Sequence, residues 1–472
     1  MSFSSIDQAA DRYDVIVVGS GLGGLTCANR LARADHRVLL LEHHTRLGGL
    51  ATWFRRGGHI FDVSLHGFPY GMVKTCRKYW SREIRDAIVQ LKNIVFDNPQ
   101  FSLTTTFDRE DFIRILRERF GVEAEVIERF FQTVAAMNFY DDRTMTTREL
   151  FNRFFPGRSD VHRLLMEPIT YANGSTLDEP AITYGIVFSN FMNRGVYTFE
   201  GGTDRLIGMM ADELKRNGVT IVTRARVDRI LVERGRVVGV AACGRQIRAR
   251  AVVSNSGITN TINNLAGREH FSQEFLASFD RVKVNNSSCQ VYFGIRRGES
   301  IEDVGDLLFT STAPEFSSEE MQDMYTRSRT FSIYYPKTRP EHPDYTVVAS
   351  MNSRYDDWAC LGREAYQREK AAMIERCFTD LERYLPGIRD KVDCVEAATP
   401  LTFNRYTLHT KGTSFGTKFE GLDISRSLFR EVAGLFHVGS VGIIMSGWLG
   451  AINYGVIVAN DVDGFVRAEQ EV

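Results

Sequence analysis

Opposite charges nearly cancel in this chain: 58 Lys and Arg against 59 Asp and Glu leave a formal net charge of −1 over 472 residues. Without a basic field there is nothing to gather nucleic acid, and no nucleic-acid partner is expected. Cysteine is scarce as well. The seven present include no C-x-x-C pair and no zinc-ligand spacing, which argues against a disulfide framework or a metal site and for free thiols in a reducing compartment. No secretory apolar stretch precedes the first strand-like run, so a cytoplasmic protein is expected, either free or in peripheral contact with a membrane. Repeats and low-complexity tracts are missing, as is any Ser-His-Asp arrangement. A chain this long exceeds one ordinary core, so two domains, interleaved or consecutive, are expected. Phenylalanine, by contrast, is plentiful at 32 residues, which suits either a large core or a deep apolar site.

The most informative segment runs from Asp14 to Glu42. Val15-Ile16-Val17-Val18 is a β-branched run of the kind used by buried parallel strands. It leads into Gly19-Ser20-Gly21-Leu22-Gly23-Gly24, which satisfies G-x-G-x-x-G, and then into a helix with Leu25, Ala28, Leu31 and Ala32 on one face. Val38 to Leu41 is a second strand, and Glu42 ends it. Gly19 permits the tight turn, Gly21 lets backbone approach a pyrophosphate, and Gly24 lets helix and strand pack closely. The helix N-terminus offers unpaired N–H groups to phosphate, and an acid at the position of Glu42 accepts ribose hydroxyls. A glycine cluster alone also marks ordinary turns; both strands, the helix and the acid in register specify a dinucleotide unit.

Which dinucleotide follows from the next residues. His43-His44-Thr45-Arg46-Leu47-Gly48-Gly49-Leu50 resembles the E-x5-G-G continuation of FAD enzymes, in which the loop closes over the pyrophosphate from the other side. His43, Arg46, Gly48, Gly49 and Leu50 are candidate contacts there, Arg46 through its charge or as a solvated loop residue. Gly58-His59-Ile60-Phe61-Asp62 resembles the G-x-x-F-D strand that runs toward the flavin. Further on, Gly201-Gly202-Thr203-Asp204 precedes a helix with Leu206, Ile207, Met210 and Leu214 on one face, ended by Asn217-Gly218. Val219 to Val222 is a strand, Val227 to Val240 a hairpin turning at Arg234-Gly235, and Ala251 to Asn255, with Ser254, completes the set. This order is similar to the part of FAD enzymes in which the residue at Val227 meets adenine through its backbone.

Val432 to Asn460 contains no Asp, Glu, Lys or Arg over 29 residues, long enough to cross a bilayer. Its six glycines and its change of pattern midway favour a strand ending at Gly439, a turn at Ser440, and a buried helix from Gly450 to Asp461. In flavoproteins of this type such a helix start faces the flavin C2 carbonyl and stabilises negative charge on the reduced ring.

Four stretches together give a family resemblance: VIVVGSGLGGL with LEHHTRLGG, GHIFDVSLHGF, GVYTFEGGTDRL, and ATPLTFNRYT followed by GTSFG and LFHVGS. From about Asp14 to the C-terminus the chain resembles the phytoene desaturase, carotenoid isomerase and retinol saturase family. The string Thr399 to Tyr406 discriminates best, and His66 has a counterpart in the saturase branch. The resemblance departs at three places. Leu50 stands where an arginine or other polar residue is usual, Val63-Ser64 replaces the end of F-D-x-G, and Ser440 replaces an aspartate that pairs with the flavin ribityl chain. The last loses a charge-assisted bond, roughly twice as strong as a neutral one.

The resemblance implies an α/β fold: a Rossmann-type FAD-binding domain of the glutathione reductase/amine oxidase kind, with a discontinuous α+β substrate domain. The FAD domain would comprise residues 1–85, 198–286 and 422–472, and the substrate/cap domain 86–197 and 287–421. Ser287 to Ile295 and Thr330 to Tyr335 read as strands of the latter, and Glu110 to Phe120 and Val122 to Met137 as its helices. In the first of these helices, arginines alternate with Phe112, Ile113, Leu116 and Phe120, a pattern open to anionic lipid or simply to a core. His66 is a candidate acid or base, and Asn453 and Tyr454, with Ile452 and Trp448 in the same turn, are candidates beside the ring. The implied activity is FAD-dependent oxidoreduction at carbon–carbon double bonds of a long apolar isoprenoid or polyene, whether desaturation, saturation or cis–trans isomerisation. Flavin amine oxidation and non-enzymatic prenyl-lipid binding of the GDP dissociation inhibitor type are the alternatives. Substrate identity, electron partner and oligomeric state are not encoded in any motif.

Overall fold

The computed structural model describes residues 4–138, 141 and 143–469. Strand Arg12–Val18 lies at the centre of a seven-stranded sheet, with Val38–Leu41 and Thr220–Val222 parallel on one side and Arg245–Ser254 parallel on the other. Leu435–His437 adds in parallel to Arg245–Ser254, and the hairpin Val227–Glu233/Arg236–Ala242 extends that edge. Val15, Ile16 and Val17 are wholly buried because helices cover both faces of the sheet, which is why this run is continuous rather than alternating. Helix Leu22–Ala32 packs against helix Gly447–Ala468 so closely that a Cβ on Gly455 would lie 2.6 Å from the Gly23 carbonyl oxygen.

A second seven-stranded sheet, mostly antiparallel, runs in the order Val392–Ala398, Ser287–Ile295, Thr346–Ser353, Ser328–Tyr334, Leu307–Ser311, Ile94–Asp97 and Ser102–Thr105. Beside it, helices Arg109–Glu118, Ala124–Ala136, Thr147–Phe154, Ser159–Asn173 and Ala181–Met192 enclose an apolar cluster in which Phe112, Phe130, Phe151 and Phe188 are buried. Many of the phenylalanines are therefore spent on this second core. Phe112, Ile115 and Leu116 point into it, Arg114 pairs with Asp111 and Glu118, and Arg119 donates to the Ser102 carbonyl, so the apolar face is a core face and not a lipid-facing one.

Element boundaries shift in places from those expected, and one motif receives its element only here. The strand expected at Thr330 begins at Ser328 and ends at Tyr334. The helix expected from Gly450 begins at Gly447, because Ser446 already has the extended backbone of a cap (φ −126°, ψ −178°). Thr399 to Tyr406 lies on a short helix, Pro400–Thr407, with Pro400 in its first turn. No helix among the described residues is long and apolar enough to cross a membrane.

A buried ion cluster ties the loop between strands Ser328–Tyr334 and Thr346–Ser353 of the second sheet to strand His59–Asp62 and helix Gly202–Arg216. The Arg339 guanidinium donates to both Asp62 oxygens at 3.0 and 2.9 Å and to Asp204 Oδ1 at 2.9 Å. The Thr203 backbone N–H donates to Asp62 Oδ1 at 2.8 Å, and its hydroxyl donates to the same oxygen. The F-D and G-G-T-D motifs thus meet on an arginine far away in sequence.

Candidate functional site

A large cavity of about 1460 Å³ lies between the two sheets, and both the glycine loop and Glu42 open onto it. Helix Leu22–Ala32 starts at Gly21 with no side-chain cap, so its first-turn N–H groups remain free to bind an anion. Gly24 does not line the cavity. A Cβ there would fall 2.3 Å from the Gly19 carbonyl oxygen, so its task is the close helix–strand approach. Gly48 crosses back over the loop, its N–H donating to the Ser20 carbonyl at 2.9 Å. Gly19, Gly21, Leu22, Gly23, His43, Arg46, Gly48, Gly49 and Leu50 all line this end.

Glu42 is buried at the tip of its strand, and both its oxygens are engaged. Oε2 accepts from the Ser20 N–H at 2.9 Å and the Ser20 hydroxyl at 2.6 Å; Oε1 accepts from the His44 N–H at 2.8 Å and lies 2.9 Å from His43 Nδ1. Burial opposes its ionisation, but the hydrogen bonds and charge of His43, with Ser20 and the His44 backbone, outweigh it and hold the carboxyl below its usual range. The hydrogen bond to Glu42 correspondingly raises His43.

Opposite the glycine loop, the cavity meets the start of helix Gly447–Ala468, again without a side-chain cap. Trp448 anchors this turn by donating from Nε1 to the Ser64 carbonyl at 3.1 Å, and its ring stacks on Phe68 at 5.5 Å. Val227 and Ser440 line the cavity, as does Asn453, whose Oδ1 accepts from the Thr75 hydroxyl at 3.0 Å. Ser254, Gly439, Ile452 and Tyr454 are not among the lining residues. The Ser254 hydroxyl pairs with Thr261 at 2.7 Å, while its neighbour Asn255 faces the cavity. Ile452 is buried in the core, and the Tyr454 hydroxyl pairs with Ser425 at 2.6 Å behind the helix. Alternation along a strand and the turn of a helix set each of these residues next to one that does line the cavity.

His66 sits on the cavity wall within a hydrogen-bonded set that sequence reading missed. The Tyr292 hydroxyl donates to Gln290 Oε1, which fixes the amide so that its nitrogen faces the Val63 carbonyl at 2.9 Å and His66 Nε2 at 3.1 Å. His66 Nε2 therefore accepts, and Nδ1 carries the hydrogen that goes to the Ser332 hydroxyl at 2.8 Å. Burial pushes His66 down to about 4, so it is a neutral, doubly held imidazole at pH 7.

His437, bridging Ser425 and the Ser256 carbonyl, is likewise pushed down to about 4 by burial. Both histidines start from an ordinary value of 6.5 when unfolded, so the unfolded chain binds protons first as pH falls. Their contribution to stability is complete above about 6.5 and is lost on descent toward 4. Unfolding free energies from urea titrations should therefore drop between pH 7 and pH 5, by roughly 1 kcal/mol per pH unit for each histidine below 6.5. A flat profile for wild type over that window, or the same slope in His437→Phe, would contradict this.

Toward the second sheet and its helices the cavity forms a limb walled by Phe107, Ile169, Val187, Phe191, Leu307 and Phe309, with the uncharged polar side chains of Asn173, Asn190 and Asn352 among them. The carboxylates lining the cavity among the described residues are Glu42, Asp228 and Glu396, and none belongs to this limb. The fold thus defines a two-part site: a dinucleotide end with two free helix N-termini, and a greasy chamber beyond it.

The model of the family described as flavin containing amine oxidoreductase matches residues 22–441, and the chain belongs to that family. It is an FAD-dependent oxidoreductase, and the donor set just described fits FAD. Among curated proteins it is 25% identical to prolycopene isomerase 2, chloroplastic, of an Oncidium hybrid cultivar, over 86% of this chain and 76% of that one. It is 21% identical to the all-trans-retinol 13,14-reductase of Rattus norvegicus, over 87% of this chain and 78% of that one. In fold it is similar to an oxidoreductase from Methanosarcina mazei (TM-score 0.67, 18% identity, 97% and 100% of the two chains covered). A putrescine oxidase bound to putrescine shares the fold at a TM-score of 0.64 and 15% identity, with 96% and 99% covered.

Proposed function

We propose that the protein acts on carbon–carbon double bonds of a long apolar isoprenoid or polyene. The observation that carries this reading is the apolar limb: it would sheathe a hydrocarbon chain, while a protonated amine entering it would meet no carboxylate. The curated relatives named above, an isomerase and a reductase of polyenes by their names, support the same reading. Desaturation, saturation and isomerisation all remain within it.

FAD supplies the hydride acceptor or donor at carbon. The chain does the rest. Gly19, Gly21 and Gly23 with Gly48 and Gly49 would cradle the phosphates, Glu42 would address the ribose, and the free N–H groups at Gly447 would favour negative charge on the ring. Phe107, Phe191 and Phe309 exclude water from the reacting bond. His66, neutral and held at both nitrogens, orients the wall around the ring and takes no part as an imidazolium. Residues 1–85, 198–286 and 422–472 form the cofactor domain in this proposal, and 86–197 with 287–421 the substrate domain.

The test is spectroscopic. Purified yellow protein titrated with a long-chain polyene should show perturbed flavin absorption bands, whereas a primary amine under anaerobic conditions should leave the oxidised spectrum intact. Flavin bleaching by the amine, with no response to polyenes, would transfer the protein to the amine oxidases.

A further inference from the structure

The string Thr399 to Tyr406 is the most discriminating motif in the chain, yet nothing said so far gives its C-terminal end a task. Its helix is built to stop in one place. Thr399 and Thr402 cap the start, Phe403 is buried against Phe61 and Tyr292, and Leu408 breaks the helix with φ +59° while Asn404 Nδ2 donates to the His409 carbonyl at 2.7 Å. This geometry carries Tyr406 across to the nucleotide end of the cleft. There the Tyr406 carbonyl lies 3.1 Å from His43 Nε2, and the other nitrogen of that ring faces Glu42 at 2.9 Å. The Tyr406 ring meets His44 edge-on, with centroids 6.0 Å apart. Tyr406, His43, His44, Arg226 and Val227 all line the same cavity. Tyr406 nonetheless keeps 54% of its surface exposed, an unusual position for a large ring at a cleft mouth unless something covers it.

We propose that Tyr406 is an aromatic wall for the adenosine half of FAD, contributed by the substrate-side helix and held in place through His43. The chemistry matches the ligand class. A purine presents a π-face that packs on an aromatic side chain whatever its hydrogen bonding, and Arg226 and Arg405 add positive charge beside a phosphate-bearing ligand. The side chain of Arg405 already rests over the Tyr406 ring at 5.7 Å, which steadies it. By this arrangement the helix that packs against the substrate sheet also closes the far end of the cofactor, and the family string spans both.

Fluorescence-quenching titrations of the flavin-free 472-residue chain test the idea with three probes: FAD, ADP as the adenosine half, and FMN as the half without adenosine. Tyr406→Ala should bind FAD and ADP roughly tenfold more weakly than wild type, the ADP arm read by competition, with FMN unchanged. Tyr406→Phe should match wild type. Because the ring is largely exposed, the alanine variant should fold, and its urea midpoint should confirm it. Equal ADP affinity in wild type and Tyr406→Ala overturns the inference, as does an equal loss for FMN. If wild type binds neither FAD nor ADP, the cofactor assignment itself falls, a different result from the loss of this contact alone.

Discussion

Arg339→Leu should destabilise the protein by about 3–5 kcal/mol, the cost of leaving a buried carboxylate without its partner. Arg339 and Asp62 are 5% and 2% exposed at their side chains, so water cannot replace the lost contacts. Burial already pushes the Asp62 carboxyl up, and only Arg339 and Thr203 pull it back. Urea denaturation followed by circular dichroism measures the loss. The double variant Arg339→Leu/Asp62→Asn should recover most of it, because asparagine still accepts from the Thr203 N–H and carries no charge. If the double variant is no more stable than Arg339→Leu, the cluster contributes through packing and not through charge.

Glu42→Ala should weaken FAD binding by about 1–3 kcal/mol, roughly fivefold to 150-fold. Two effects combine. The ribose hydroxyls lose their acceptor, and the Ser20 and His44 N–H groups, now bound at 2.9 and 2.8 Å, lose theirs within the loop that meets the phosphates. Glu42→Gln should fall between, since its one remaining carbonyl oxygen can serve only part of this set. Equilibrium dialysis against FAD reads the effect directly. Wild-type affinity in Glu42→Ala would mean that the ribose is held elsewhere.

The parts of the molecule that could be read from the sequence are those whose partners are close in sequence. Val15 to Glu42 closes a strand, loop, helix and strand within one short stretch, and each residue type has a local reason to be there. Arg339 could not be read that way. Its partners Asp62 and Asp204 lie in two other segments, and a lone arginine in a loop carries no periodic signal. The same holds for Gln290, whose role depends on Tyr292 beside it and His66 far from it. Ser254 and Asn255 show a finer limit. The strand was evident, but which of two adjacent residues faces the cleft depends on register against Val18, whose carbonyl accepts from the Asn255 N–H at 2.7 Å. The helix start at Gly447 was hidden because two glycines three residues apart offer the same kind of start, and the later one, Gly450, reads as the first residue.

The close packing of helix Gly447–Ala468 on helix Leu22–Ala32 has a consequence for how the protein comes into being. The glycine loop leaves the ribosome well before its covering helix and the strand Leu435–His437, which lie in a distant later segment. At synthesis rates of about 5–20 residues per second, the apolar back of the first helix waits on the order of tens of seconds for its cover. Cofactor loading therefore belongs after helix Gly447–Ala468 has been made, and a chain stopped before it would carry an intact dinucleotide motif with no chamber to bind in.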